Sequence, residues 1–136
     1  MNNVSREARL RCLALLPVLV AVALVLAGCS SHTPIAIKAT VETFYSGIAQ
    51  DDPSNIQDNL ALAAAQAFQQ HVTAAAAAAQ HDSTVLKSVQ LAQIGTPSIH
   101  GDSARVPVVF ADGKADTVSL VREGLMWKVL TSNRLA

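Results

Sequence analysis

The spacing of apolar and polar residues changes several times along the chain. From Cys12 to Ala27, 16 residues carry no charge and are mostly Leu, Val and Ala, interrupted by Pro17. From Ile35 to Gln50 the apolar positions Ile37, Val41, Phe44, Tyr45 and Ile48 recur at spacings of three and four. That period predicts a helix with one apolar face. Pro34 suits a first-turn position. Asp51-Asp52-Pro53 should stop the helix, because proline disfavours helical geometry in the residue before it. A second helical stretch is expected over Asn55 to Gln80, with Asn59 as the point at which it would break. Ser54 and Gln57 fit a capping box at its start. Its larger anchors are Leu60, Phe68 and Val72, and it contains six consecutive alanines from Ala74. Alanine has the best helix propensity but little to bury. The expected result is a thin helix lying close against a sheet, with low-complexity disorder of the alanine run as the other reading.

The second half of the chain turns to period two. Val85 to Ile94 is read as a strand, with Val85, Val89 and Leu91 on one parity. Gly95-Thr96-Pro97 and Gly101-Asp102 punctuate the stretch after it. Ala104, Val106, Val108 and Phe110 share one face of a second strand, opposite Arg105, Pro107 and Val109. Ala111-Asp112-Gly113-Lys114 carries the Asp-Gly pair of a hairpin turn. A third strand runs from Thr117 to Arg122, with Glu123-Gly124 as the next turn. The fourth runs from Leu125 to Thr131, with Leu125, Trp127 and Val129 on one face. Pro107 points to a sheet edge or a bulge. Helices followed by four antiparallel strands joined by short turns predict an α+β domain, its helices packed on one face of a curled sheet.

The first apolar run has a different use. It is short of the roughly 20 residues that a membrane-spanning helix needs. It follows Arg6, Arg9 and Arg11 and ends in Leu26-Ala27-Gly28-Cys29. A basic stretch, an apolar stretch and small residues at the end read as a secretory signal peptide. The last four residues resemble the bacterial lipobox. Small residues let an extended backbone reach the signal peptidase, and the Cys29 thiol becomes a thioether to diacylglycerol. Each methylene buried in the bilayer contributes about 0.8 kcal/mol, so two or three acyl chains hold firmly where one would not. The expected organisation is a signal peptide over residues 1–28, a polar tether over 29–34 and a single domain over 35–136. The competing reading is an uncleaved N-terminal anchor with an incidental cysteine.

This division alters the charge and cysteine arithmetic. The whole chain is formally neutral, with ten basic and ten acidic side chains. The leader takes three arginines and Glu7, leaving a mature part with seven basic and nine acidic side chains, a net of −2. The basic residues are scattered, which argues against nucleic acid. Cys12 departs with the leader and Cys29 is acylated, so no disulfide is expected although the cysteine count is even.

Three elements carry a family resemblance. They are the aromatic pair Phe44-Tyr45 in an amphipathic first helix, the break at Asp52-Pro53 followed by Asn55 to Leu60, and the ending from Val118 to Val129 with its Gly124-x-x-Trp127-Lys128. Together they resemble the actinobacterial low-molecular-weight secreted antigen family and related small lipoproteins. The resemblance covers about Ala39 to Leu130. It implies a nuclear-transport-factor-2-like, cystatin-like cone and an exported envelope protein, attached to the extracytoplasmic face of the cell membrane or shed. It supplies no catalytic residue.

The residues themselves offer little chemistry. His32, His71, His81 and His100 make no His-x-x-x-His spacing, so no metal is expected, nor is any cofactor. Asp51 and Asp52 read as helix-terminating residues, and Asp82 as part of a helix-to-strand loop. No Gly-x-Ser-x-Gly elbow or phosphate loop is present. The inward strand positions read Val, Leu, Ala and Phe, so no enzyme is expected. Phe44, Tyr45 and Trp127 are the candidate pocket lining, with plain core packing as the other reading. The functional expectation is a lipid-anchored, non-catalytic binding or accessory domain whose partners are the membrane, through Cys29, and an envelope protein or apolar ligand. A sealed core would favour binding by the surface. An open cavity would favour carriage of a lipid-like ligand, and a buried Asp or His reaching that cavity would favour an enzyme.

Overall fold

In a computed structural model, residues Thr33 to Ala136 are described. The signal peptide, the lipobox residues Leu26, Ala27 and Gly28, and Cys29 lie outside them. Helix α1 spans Thr33–Gln50, α2 Pro53–Asn59, α3 Gln66–Ala79 and α4 Ser83–Val89. Five strands come next: β1 Leu91–Ile94, β2 Ser98–His100, β3 Ser103–Phe110, β4 Ala115–Glu123 and β5 Met126–Ser132. All pair antiparallel in the order β1-β3-β4-β5, with β2 also on β3 beyond the end of β1. The described residues thus form an α+β domain with an open sheet.

Helix α1 follows its sequence period. Ile37, Val41, Phe44, Tyr45 and Ile48 are all buried. Each such side chain contributes about 1.5–3 kcal/mol relative to exposure. The helix ends in a Schellman motif. Asp51 adopts φ 52°, its N–H donates to Ile48 O, and the Asp52 N–H donates to Gly47 O at 2.8 Å. Asp52 then caps α2, its carboxylate accepting from the amides of Ser54 and Asn55, with Pro53 in the first turn. This corrects the expectation of a Ser54–Gln57 capping box: the cap lies two residues earlier. Helix α2 stops at Asn59, where the long helical stretch was expected to break. Leu60 leaves in an extended conformation and bridges to Val129, with the Ala61 N–H on Val129 O. The alanine run does form a helix, burying Phe68, Val72, Ala76 and Ala79 along one narrow stripe.

The stretch read as a strand from Val85 to Ile94 is corrected more substantially. Its first part is helix α4, and only Leu91–Ile94 is strand. Asp82 caps α4 by accepting from the Thr84 and Val85 amides. Val85 and Val89 lie four apart, a spacing that fits either period, and the cap decides for helix. The strand count is likewise five rather than four, because Ser98–His100 folds back on β3 through the turn at Gly101.

Pro107 lies on neither an edge nor a bulge. It is inside β3, opposite Thr117 of β4, and its carbonyl accepts from Gly95 N–H at 2.7 Å. The nitrogen and carbonyl of one strand residue face the same side. The missing donor therefore points to the interruption between β1 and β2, where no ladder bond is forfeited. Gly95 fits there because a Cβ would meet Pro107 Cγ at 2.6 Å.

Alternate positions of β3 and β4 face the helices: Ala104, Val106, Val108, Phe110, Val118 and Leu120 are buried in one cluster with α1 and α3. From β5, Trp127 and Val129 join them, whereas Leu125 lies at the tip of the β4–β5 turn and is exposed, against the expected alternation. Between Val129 and Thr131 the β4–β5 register slips. That bulge at Leu130 reverses the parity of β5. Ser132 is thereby paired with inward-facing Val118 and buried in place of Thr131.

Candidate functional site

Tyr45 is the one expected pocket residue with both a polar partner inside and a groove beside it. Its ring packs edge-on to Phe44, with centroids 5.3 Å apart, and to Phe110 at 5.1 Å. Phe44 also stacks on Phe68. Trp127 is buried elsewhere, five residues back along β5 from Ser132, where its carbonyl accepts a long bond from Thr40 of α1. The structure therefore joins Phe44 and Tyr45 in one aromatic cluster and places Trp127 apart from it, beside Thr40 in the middle of α1.

The Tyr45 hydroxyl donates to Ser132 Oγ at 2.9 Å, and Ser132 Oγ donates to Asp116 Oδ2 at 2.6 Å. The same carboxylate oxygen accepts from the Arg134 amide at 3.1 Å. The Arg134 guanidinium pairs with Asp112 and sits over the Phe110 ring, 4.8 Å from its centroid. The contacts close a circuit from Tyr45 through Ser132, Asp116, Arg134 and Phe110 back to Tyr45. Burial pushes the Tyr45 phenol well above its ordinary range, against the lowering effect of the Ser132 bond. At Asp112, desolvation pushes the carboxyl up, but the Lys114 amide and Arg134 outweigh it and hold the group below its ordinary range.

Chemically this circuit is a clamp. Ser132 is wholly buried, donates to one partner and accepts from another, so its hydroxyl is unavailable to a substrate. Reading from sequence missed Ser132, Asp116 and Arg134. One signal was available: Asp116 continues the inward series of Val118 and Leu120, and a charge at an inward position calls for partners. Ser132 gave no such sign, because only the bulge turns it inward.

Next to Tyr45 lies a groove of about 500 Å³. Its walls are one face of α1 (Glu42, Tyr45, Ser46, Ala49, Gln50), the end of α4, and edge strand β1. A second hollow of about 550 Å³ shares Gln93 with it and has Pro107, Val109, Asp116 and Thr117 in its lining. Both volumes fall within the range of small-molecule sites. The groove offers side-chain amides, one carboxylate, the Ser46 hydroxyl and apolar side chains that include Leu86, Leu91 and Ile94. Among the described residues its lining contains no histidine, cysteine or lysine.

Among the described residues, His71 and His100 make separate contacts. His71 Nδ1 contacts Leu135 O at 3.0 Å, and His100 Nε2 contacts Ser98 Oγ at 3.2 Å. Among the described residues no group of three or more His, Cys, Asp or Glu could hold a metal, and no helix is long and apolar enough to cross a membrane. No protein-family model, curated protein or solved structure matches the chain.

Proposed function

We propose that the chain is a cell-envelope lipoprotein, cleaved after Leu26-Ala27-Gly28 and anchored through lipidated Cys29. Its folded part is a non-catalytic binding or accessory domain that works through its surface. The observation that carries the second part is the closed centre: Phe44, Tyr45, Phe110 and Trp127 are all buried and packed, leaving the groove beside Tyr45 at the surface. The first part rests on the basic stretch, the apolar run and the Leu-Ala-Gly-Cys sequence. The proposal includes the cone-like fold and the kinship with actinobacterial secreted antigens. Helices gathered on one face of an antiparallel sheet that comes after them in the chain support it.

Two measurements test the proposal. Cys29→Ala should leave the protein unprocessed or released from membranes; a variant that still fractionates with lipid at the mature mass would refute the anchor. Native mass spectrometry of protein from its host should show the domain without a retained lipid in the fold. The groove beside Tyr45 favours, as a second reading, a carrier of an apolar ligand, and a reproducibly co-purifying lipid beyond the anchor would select it.

A further inference from the structure

The exposed large apolar side chains are not scattered evenly. Leu62 is 92% exposed, Leu125 96% and Met126 59%. Single exposed hydrophobic residues are ordinary on protein surfaces, but these three belong to one place. The Leu62 N–H donates to Glu123 Oε1 at 2.9 Å, which holds the α2–α3 loop beside the β4–β5 turn that presents Leu125 and Met126. Two neighbouring turns thus display three long apolar side chains at one tip of the domain.

The position of that tip in the fold suggests what covers it. Two hydrogen bonds tie α1 to β5: Thr40 to Trp127 O, and Tyr45 to Ser132. They occur in the same order along both elements, so α1 and β5 run in the same sense. The start of α1 and the start of β5 therefore lie at the same end. Ile35, 66% exposed in the first turn of α1, adds a further apolar side chain at that end. From Cys29 to Thr33 the chain can span at most about 14 Å when fully extended. An anchor at Cys29 would hold this end, and not the opposite one, against the bilayer.

We propose that Leu62, Leu125 and Met126 form a membrane-contacting tip that enters the interfacial region of the bilayer and fixes the orientation of the domain on it. This inference rests on the Cys29 anchor for its geometry. The occupant is the lipid surface itself, and contact is driven by apolar burial. The charges around the tip are of both signs, Arg122 beside Asp102 and Glu123. Zwitterionic phosphatidylcholine, with no net charge, should therefore serve as well as an anionic lipid. The opposite end, with the groove and the Asp112–Lys114 turn, would then face away from the membrane.

The test uses the full chain in phosphatidylcholine vesicles doped with a phosphatidylcholine bearing a diazirine on its acyl chain. After irradiation, adducts are mapped by peptide mass spectrometry. Adducts should concentrate on the peptides containing Leu62 and Leu125–Met126, with several-fold lower yield at the Asp112–Lys114 turn. Substituting Leu62→Ser, Leu125→Ser and Met126→Ser together should cut the tip yield several-fold while leaving the thermal midpoint and circular dichroism unchanged. Equal labelling of both ends, or full yield in the triple variant, would overturn the proposal. Intact mass reports the anchor separately. A chain without lipid on Cys29 refutes the anchor alone, and the same adduct map, taken on that chain incubated with the same vesicles, still decides the tip.

Discussion

Ser132 links three elements through one hydroxyl, and its removal should be felt by both neighbours. Ser132→Ala leaves the buried Tyr45 hydroxyl without its acceptor and takes one of two donors from Asp116 Oδ2, at a cost of about 1–3 kcal/mol. Tyr45→Phe leaves Ser132 still donating to Asp116 and should cost less, about 1 kcal/mol. Urea unfolding of the two variants measures the order, and equal losses would deny the clamp. The same site gives a pH signature. Because the folded-state pKa of Tyr45 is raised from 10.0, the protonated phenol stabilises the fold. That contribution is complete below pH 10 and is lost as pH rises from there toward the folded value. Tyr45 is the only tyrosine, so phenolate absorbance reports it alone. Phenolate should appear together with unfolding, and Tyr45→Phe should remove this alkaline loss of stability. The aromatic pair was legible from the helical period. The partners of Tyr45 were not, because a one-residue slip in β5 decides which of Thr131 and Ser132 faces inward.

Among the elements, α1 was legible nearly to the residue, since five apolar positions repeat and a proline follows two aspartates. Helix α4 was not. Its seven residues carry too few apolar positions to separate a period of 3.6 from one of two, and the deciding feature is the carboxylate of Asp82. Asp82→Ala should cost about 1 kcal/mol, read as a drop in the thermal midpoint; no change would mean that packing alone holds α4. Strand β2 went unread because three exposed residues between glycines carry no pattern. Pro107 misled in a more instructive way: a proline excludes one hydrogen bond, not a whole strand, and β3 turns that position toward a gap. Gly95 makes the gap workable. Gly95→Ala should destabilise by about 1–3 kcal/mol through its clash with Pro107. Pro107→Ala in the same chain should recover part of that loss; a double variant as unstable as the single would place the strain elsewhere.

At the scale of the whole molecule, the order of helices and then sheet was legible from the change of period alone, and with it the α+β class. The position of the groove was not, because it depends on how the second half of α1 lies against an edge strand, which no local pattern encodes. The Leu62–Leu125–Met126 tip was hidden for the same reason, since the two turns are far apart in sequence and are brought together by tertiary contacts such as the Leu62 amide on the Glu123 carboxylate. Leu125 was placed on one face with Trp127 and Val129, but it is the second residue of the two-residue turn between Glu123 and Met126, where strand alternation does not apply. The break between β1 and β2 has a further consequence. An open sheet exposes two borders along which another chain could lengthen it into an aggregate. Here one border offers the four residues of β1, with a bulge inside it, and the three of β2, with Gly95 to Pro97 interrupting the two. The other is occupied midway by Leu60 and Ala61 at Val129. Copies crowded together would meet no long, straight border to join, so the interruption that accommodates one proline also breaks up the edge that self-association would need.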